Sequence, residues 1–428
     1  MSKESITNEN ITVIDGSALL WTIRWPLDGT VEDFVNAFEN RIASYLVNSD
    51  VYLIFDRYHE YSIKSAARES RMTDAFTMHH MSLTTKLPSQ KTVLSSVVNK
   101  KKLIEMIVED LTKNRLFHIQ ATTKHKLTVT GENAYPFQVR FDEHSRCQDM
   151  ETHHEEADII IIHQTLQAIK DTQNPRVRVI SDDTDVFVLL LHHYQKAGLD
   201  IPITMDSPIK DRASVDIQKT VASNKNILKD LPQAHALTGC DTVATCHGIG
   251  KCKVLKLLEQ GYALPAVGDV NADMEDVILQ ATSFVSACYG IKNSVDMTQT
   301  RLLVWGKKTG RGKITASHLC ELPPTTEAFI QNIKRAHYQA MIWRNIDIDP
   351  RNLDLECYGW KKDREKKISI PIMLPGNTPP APNFILQLIL CSCKSKKPCN
   401  TKRCSCKEKG VSCTMFCACY SIGCTRLL

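Results

Sequence analysis

The sequence predicts an α/β fold in which a parallel sheet is flanked by helices. Three short apolar runs have the composition of strands: "ITVID" at 11–15, "VYLIFD" at 51–56 and "VRVI" at 177–180. None of them alternates apolar with polar residues, which is typical of strands buried on both faces of a parallel sheet. Two segments with the apolar spacing of helices, 31–46 and 153–170, lie between these runs, as in α/β proteins.

The length of the chain, 428 residues, predicts two or more domains, because single cores stop growing near about 250–300 residues. The first expected domain, 1–230, is the α/β core, with a basic and partly helical insertion at 57–140. The second, 231–350, is helical and rich in glycine and lysine. A basic, proline-rich linker at 351–390 then leads to a cysteine-rich domain at 391–428.

Composition argues against membrane and secreted proteins. No window approaches the ~20 uninterrupted apolar residues of a membrane span, and the polar start "MSKESITNEN" lacks the apolar core of a signal peptide. Residues 361–428 carry thirteen Lys and Arg against three acids, or +10, which leaves −5 of the total +5 for the rest of the chain. A basic tail predicts a polyanionic partner. The run "KKDREKK" reads either as solvated linker or as a nuclear localisation signal, and we expect a nuclear protein, otherwise a cytoplasmic one.

Acidic residues follow each predicted strand. Because parallel strands deliver their carboxyl ends to one edge of a sheet, these acids are expected to share that edge, where Glu156 and Asp158 join them from a helix start. The six are Asp15, Asp56, Glu156, Asp158, Asp183 and Asp185. Carboxylates crowded in a low-dielectric site repel one another, so a cation is expected among them.

Simpler interpretations exist for single acids. A lone Asp at a strand end is more often a turn former or helix cap than a ligand, and the T-x-x-E spacing of Thr152 and Glu155 predicts a capping box. Asp182 either caps a helix or stays solvated. A zinc site at His154 and His163 is disfavoured, because the two lack ligand spacing.

A second motif follows in "HALTGCDTVATCHGIGKCKVLKLLEQ". Asp241 comes after a Gly–Cys turn, and the glycines of "GIGK", Gly248 and Gly250, lie between two helical segments. Exposed hairpin amides followed by Lys251 and Lys253 suit a phosphate backbone that is bound without reading its sequence.

In this order the motifs Asp15, Asp56, "EAD", "DDTD", "GCD" and "GIGKCK" resemble the flap endonuclease/XPG-type 5′-nuclease superfamily, over about residues 11–265. The resemblance implies a PIN-like fold, a helix-hairpin-helix element for duplex DNA, and two Mg²⁺ (or Mn²⁺) on seven carboxylates, with Asp241 the seventh. It also places Lys64, Arg68 and Arg71 in an arch that contacts DNA, although they could equally form a solvated basic face. Where the family usually has Glu-x-Glu, this chain has Glu156-Ala157-Asp158.

The tail holds nine cysteines with the spacing C-x-C-x5-C-x4-C-x-C-x6-C-x3-C-x-C-x4-C. They are Cys391, Cys393, Cys399, Cys404, Cys406, Cys413, Cys417, Cys419 and Cys424. Tetrahedral zinc needs four ligands, so nine thiolates satisfy three Zn²⁺ if three of them bridge. The pattern is similar to a tesmin-type CXC domain, which implies DNA binding, with Arg403 and Tyr420 as groove contacts. A purely structural zinc knot or a protein-interaction module is the alternative.

Together these observations predict a magnesium-dependent phosphodiesterase, an endo- or exodeoxyribonuclease, tethered to duplex or branched DNA by a zinc cluster. One alternative is a catalytically inactive PIN-like/CXC chromatin or transcription regulator that binds DNA. Another is a ribonuclease, since PIN-like proteins also cut RNA.

Overall fold

The computed structural model describes residues 10–65, 80–113, 124–140, 143–209, 211–309, 321–379, 383, 387–395, 397–414, 416–419, 424 and 426. The chain divides into two compact units. The first comprises Met1–Pro232 and Ala340–Pro371, and the second Gln233–Gln339 and Ile372–Leu428. Among the residues described, no helix has both the length and the apolar character that a membrane crossing requires.

The first unit is built on an eight-stranded sheet in the order β5-β4-β3-β2-β1-β6-β7-β8. The five central strands run parallel, and β4, β5 and β8 are antiparallel at the two ends. The strands are β1 Ile11–Asp15, β2 Asp50–Ile54, β3 Leu127–Thr130, β4 Phe137–Arg140, β5 Glu143–Arg146, β6 Val177–Ile180, β7 Ile203–Asp206 and β8 Val215–Asp216. The predicted parallel α/β sheet is therefore confirmed.

The register brings the ends of the three central strands level. Ile14 of β1 pairs with Leu53 of β2 on one side and with Ile180 of β6 on the other. The chain consequently leaves all three strands at the same edge, which places the residues that follow them beside one another.

Helices cover this sheet and complete its core. The helices of the first unit are α1 Gly16–Thr22, α2 Val31–Leu46, α3 Gln90–Leu94, α4 Val97–Lys113, α5 Ala157–Asp171, α6 Thr184–Lys196 and α7 Ile217–Asn224. Phe34 and Phe38 of α2 and Ile107 of α4 pack against Ile14 and Leu53 in one buried cluster. All five residues of β1 are buried, as the uninterrupted apolar run predicted.

The second unit is mainly helical. Its helices are α9 Lys251–Glu259, α10 Met274–Cys288, α11 Met297–Thr309 and the short α13 Ser405–Glu408, while α8 Leu231–Leu237 and α12 Thr326–Arg344 each begin in one unit and end in the other.

The boundaries differ from the expected ones in two places. The predicted insertion at 57–140 contains β3 and β4, which are part of the main sheet because their apolar residues complete its buried face. The predicted linker at 351–390 contains an antiparallel hairpin, β9 Trp360–Asp363 and β10 Ile368–Pro371, which belongs to the first unit. Trp360 is buried, and burial of so large an apolar side chain stabilises the folded hairpin.

Candidate functional site

Asp15 lies at the end of β1 and caps α1. Its carboxylate accepts hydrogen bonds from the backbone N–H of Ala18 (3.1 Å) and from the Ser181 hydroxyl (3.0 Å). The next residue is glycine for a steric reason: a Cβ on Gly16 would come within 2.4 Å of the Phe55 ring. The pKa of Asp15 is raised to about 6, chiefly by burial; the charges of Asp56 and Asp183 contribute to the rise, and the hydrogen bonds from Ala18 and Ser181 oppose it.

Asp56 joins the end of β2 to α5. Its carboxylate accepts a hydrogen bond from the backbone N–H of Ala157, the first residue of that helix, at 3.0 Å. Glu156 immediately precedes the helix and Asp158 lies in its first turn, and both are buried. This hydrogen bond therefore holds Asp56 close to Glu156 and Asp158 at one edge of the sheet.

Asp183 caps α6 and accepts a hydrogen bond from the backbone N–H of Asp185 at 2.8 Å. The Ser181 hydroxyl contacts this loop too, since it accepts from the backbone N–H of Asp183 at 3.1 Å while donating to Asp15. Ser181 thus links two of the acids. Our sequence analysis missed it, although its place between strand and acids was a visible signal.

Electrostatic coupling connects these groups. Burial raises the pKa of Asp158 well above its ordinary value, and Asp183, Glu156 and Asp185 raise it further, whereas Lys64 lowers it. Together with the coupling of Asp15 to its neighbours, this makes one set of mutually repelling carboxylates. We refer to the set as the acidic cluster, and its members are Asp15, Asp56, Glu156, Asp158, Asp183 and Asp185.

Lys64 supplies a positive charge within the acidic cluster. Its ammonium lies 3.4 Å from an oxygen of Asp158 and 3.7 Å from one of Glu156, and the residue is only 9% exposed. The alternative of a solvated basic face is therefore wrong for Lys64, because two buried carboxylates draw the side chain inward. Arg68 and Arg71, predicted on the same face, lie outside the described residues.

The donor chemistry of the acidic cluster fits hard divalent cations. Carboxylate oxygens are the ligands that Mg²⁺ and Mn²⁺ prefer, and six carboxylates exceed what one ammonium can balance. No three carboxylates of the described residues bring their oxygens within 4.8 Å of one another, a spacing met there only by cysteine groups. The acids accordingly form an extended rim rather than a tight single-ion cage.

Arg57, which our sequence analysis also missed, orders the backbone that leads to the acids of α5. It is fully buried, and its guanidinium donates hydrogen bonds to the carbonyls of Gly131 (3.1 Å), Ala134 (3.1 Å) and His154 (2.9 Å). Burial lowers the pKa of Arg57 to about 10. Its backbone N–H also donates to the carbonyl of Glu155 at 2.9 Å, so it positions the segment that leads to the acids of α5.

Two further surface features belong to the first unit. Trp21, on the helix that Asp15 caps, is 48% exposed. A cavity of about 760 Å³ is lined by Tyr58, which follows Asp56 by two residues, together with Lys101, Lys102 and other residues. Lys366 of the β9–β10 hairpin also lines this cavity.

Asp241 and the glycine hairpin lie in the second unit. Asp241 is exposed in a turn that the bridge between Cys240 and Val243 closes, and its place as a seventh ligand stays a prediction. Gly239, just before it, has a φ of +120°, and a Cβ there would meet Thr245 at 2.4 Å.

The hairpin between α8 and α9 presents open backbone. Gly248 and Gly250 are exposed, and a Cβ at either would meet nothing within 4 Å. Lys253 is exposed on α9. Lys251 instead donates to the carbonyls of His235 (3.1 Å) and Gly239 (2.9 Å), so the structure shows it stabilising the end of α8.

The nine tail cysteines form one cluster, in which eight are buried and Cys393 is partly buried. Three groups of four have sulfur atoms that lie within 4.8 Å of one another. These are Cys391, Cys404, Cys406 and Cys413; Cys391, Cys393, Cys399 and Cys404; and Cys391, Cys399, Cys413 and Cys419. Shared membership is what a cluster with bridging thiolates requires, so the sulfur set fits zinc. The number of ions stays a prediction.

Other tail residues contact the cysteine cluster or pack beside it. Cys417 lies 3.6 Å from Cys406, sulfur to sulfur, and Cys424 is buried in the same cluster. Phe416 packs its ring 5.2 Å from that of Trp305 on α11. Of the predicted groove contacts, Arg403 is exposed, and Tyr420 lies outside the described residues.

Comparison with known proteins gives weak likenesses. No family model matches the sequence, and no curated protein matches it. Among solved structures, the chain is similar to the D15 protein of bacteriophage T5 co-crystallised with metal ions, at 13% identity and a TM-score of 0.35, covering 80% of this chain and 90% of that one. It is also similar to a pseudo-enzyme–product complex of the phage T5 D15 flap endonuclease with DNA and metal ions, at 12% identity and a TM-score of 0.34, covering 77% and 99%.

Proposed function

We propose that the protein is a metal-dependent nuclease that hydrolyses DNA phosphodiester bonds at the acidic cluster. The observation that carries this proposal is the convergence of six acids from β1, β2, α5 and α6 on one edge of the sheet, with the pKa values of Asp15 and Asp158 raised. Burying these carboxylates beside one another costs stability and is expected where function requires the charges.

Two Mg²⁺ or Mn²⁺ would be held by the carboxylates of the acidic cluster. When bound, such ions supply activation of water and stabilisation of the leaving 3′ oxygen. Ser181 and Arg57 keep the acids in place, the first by its hydroxyl and the second through the backbone. The acids must be ionised to serve as ligands, so activity should rise with pH through the range in which they lose protons.

The other residues of the first unit provide contacts for a nucleic-acid strand. The Lys64 ammonium lies close enough to Asp158 and Glu156 to attract and orient a phosphate that reaches the rim. Trp21 offers a half-exposed ring on which a base can stack. The lysines of the cavity beside Tyr58 suit the backbone of the same strand.

The second unit would supply further contacts to DNA. The open amides near Gly248 and Gly250, with Lys253, suit the phosphates of duplex or branched DNA. Three Zn²⁺ on the nine cysteines would make a CXC-type domain that tethers the enzyme to DNA, with Arg403 as a contact, in a protein that we place in the nucleus.

A second function is favoured by one specific contact. Since Lys64 already neutralises part of the charge of Glu156 and Asp158, the acidic cluster could persist in a DNA-binding regulator that has no activity. RNA as substrate is the third candidate.

One experiment separates these functions. Purified protein is incubated with flap, nicked, gapped and single-stranded DNA and with RNA, in Mg²⁺, Mn²⁺ or EDTA. The double variant Asp183→Ala, Asp185→Ala should lose all metal-dependent cleavage. Asp182→Ala is the matched control, because Asp182 pairs with Arg212 at 3.1 Å and belongs to no part of the cluster. DNA binding without cleavage in the unchanged protein would establish the regulator instead.

A further inference from the structure

The loop 57–65, which carries Lys64 into the acidic cluster, is held by the β9–β10 hairpin. The backbone N–H of Tyr61 donates to the carbonyl of Lys367 at 2.8 Å, and the hydroxyl of Ser369 donates to the carbonyl of Tyr61 at 2.7 Å. Both backbone polar groups of Tyr61 are therefore bonded to a hairpin about 300 positions away in the sequence. Ser369 is completely buried, so its hydroxyl makes this bond out of contact with water.

The conformation of Tyr61 shows why such support is needed. Its φ is +58°, in the left-handed region that a bulky residue adopts only at a cost in free energy. A loop of this length would relax to an ordinary conformation unless neighbouring contacts fixed it. The two hydrogen bonds from the hairpin are contacts of that kind.

The strained residue, Tyr61, lies three positions before Lys64, and contacts made by Ser62 connect the two. The hydroxyl of Ser62 donates to Glu155 at 2.7 Å and accepts from the backbone N–H of Lys64 at 3.2 Å. The ammonium of Lys64 then reaches Asp158 and Glu156. Hydrogen bonds, joined by the covalent chain from Tyr61 to Lys64, thus connect Ser369 to the acidic cluster.

We propose that the β9–β10 hairpin is a positioning element of the active site, in which Ser369 fixes Tyr61 and thereby holds the Lys64 ammonium between Glu156 and Asp158. The proposal rests on the proposed function only for what Lys64 does there. It assigns a structural purpose in the site to the basic run at 361–367, which by sequence alone reads as a linker or a localisation signal. The exposed ion pair of Lys367 with Glu60 (2.7 Å) adds little, because solvent screens it.

The test measures the exposure of Lys64 directly. The unmodified full-length protein and a Ser369→Ala variant are treated briefly with an amine-acetylating reagent, and labelling of each lysine is quantified by mass spectrometry. Loss of a buried hydrogen bond should raise the labelling rate of Lys64 by about fivefold or more. Lys170, exposed at the end of α5, is the internal reference and should not change.

Two variants separate positioning from general loosening. Ser286→Ala removes another completely buried serine hydroxyl, one that bonds to Thr300 in the second unit, and should leave Lys64 labelling unchanged. Tyr61→Asn keeps both backbone hydrogen bonds and suits a positive φ, so it should also leave Lys64 protected. Equal labelling of Lys64 in the unmodified protein and Ser369→Ala would overturn the proposal, and so would a parallel rise at Lys170.

A double-mutant cycle read by calorimetry tests the route of the effect. Displacing an ammonium from carboxylates reduces its repulsion of a divalent ion, so Ser369→Ala should tighten Mn²⁺ binding by about threefold to tenfold. Lys64→Met should tighten it at least as much, and adding Ser369→Ala to Lys64→Met should change nothing more. Additive effects would overturn the proposal. If labelling and Mn²⁺ binding behave as expected while the unmodified protein cleaves no substrate, the positioning role stands and the nuclease function fails.

Discussion

Replacing Asp15 by asparagine should stabilise the metal-free protein while removing the nuclease activity that we propose. The pKa of Asp15 lies at about 6 instead of 3.8, chiefly because the carboxylate is buried. At about 1.36 kcal/mol per pH unit, keeping it ionised costs the folded state about 3 kcal/mol. Asparagine can still accept from Ala18 but bonds Ser181 less strongly, an offset of about 1 kcal/mol, so a net gain of about 2 kcal/mol is expected.

The size of this stability gain depends on pH in a way that identifies its cause. A carboxyl with a raised pKa penalises folding above its folded pKa, near pH 6, and the penalty disappears as pH falls towards 3.8. The advantage of Asp15→Asn should therefore be full at pH 8 and lost by about pH 4. Urea unfolding followed by circular dichroism in EDTA measures both values.

The matched control has the opposite sign. Asp33 completes the capping box of α2 with the N-cap Thr30, and hydrogen bonds from Thr30 lower its pKa, so Asp33→Asn should reduce stability at pH 8. Mg²⁺ should raise the stability of the unmodified protein and have less effect on Asp15→Asn, whose cleavage rate should fall about a hundredfold or more. Equal or lower stability of Asp15→Asn at pH 8 in EDTA would refute the view that burial of this charge is costly.

Four further predictions concern other parts of the molecule. Burial lowers the pKa of His193 to about 4, so stability falls as pH drops from 6.5 to 4, and His193→Gln, which can still bond the Trp343 carbonyl, should reduce that slope in acid unfolding. Gly250→Ala should leave thermal stability unchanged, because its φ is ordinary and the space is open, yet weaken duplex binding about tenfold in fluorescence anisotropy. Trp21→Ala should raise KM for single-stranded ends about tenfold, with Trp21→Phe close to the unmodified enzyme. Cys391→Ser should lower the zinc content measured by mass spectrometry, since this sulfur belongs to all three groups of four.

Controls distinguish these predictions from general damage. Ser44→Ala, on the exposed face of α2, should match the unmodified protein in the acid-unfolding and anisotropy assays. Cys288→Ser lies outside the tail and should retain full zinc content, although burial of a hydroxyl there costs some stability. An unchanged acid slope in His193→Gln, unchanged DNA affinity in Gly250→Ala or full zinc in Cys391→Ser would contradict the corresponding prediction.

The sequence predicted the sheet well because its signal is local. A strand buried on both faces must be apolar throughout, so β1, β2 and β6 could be located from composition alone, and the strand-end rule then put Asp15, Asp56 and Asp183 at one edge. The hairpin at 360–371 could not be found in this way. Its polar residues resemble a linker, whereas Trp360 and Ser369 are buried by tertiary contacts that the local sequence does not reveal.

The charge balance of the site depends on that same nonlocal contact. The sequence indicated that the clustered acids require a cation. We inferred a divalent metal, because the sequence alone does not show where the side chain of a basic residue in a loop will lie. The structure supplies Lys64, and it does so through Tyr61, whose positive φ is maintained by hydrogen bonds from the hairpin. A local pattern therefore specifies how much negative charge collects at the rim, whereas tertiary structure decides how much of it remains for a metal ion to neutralise.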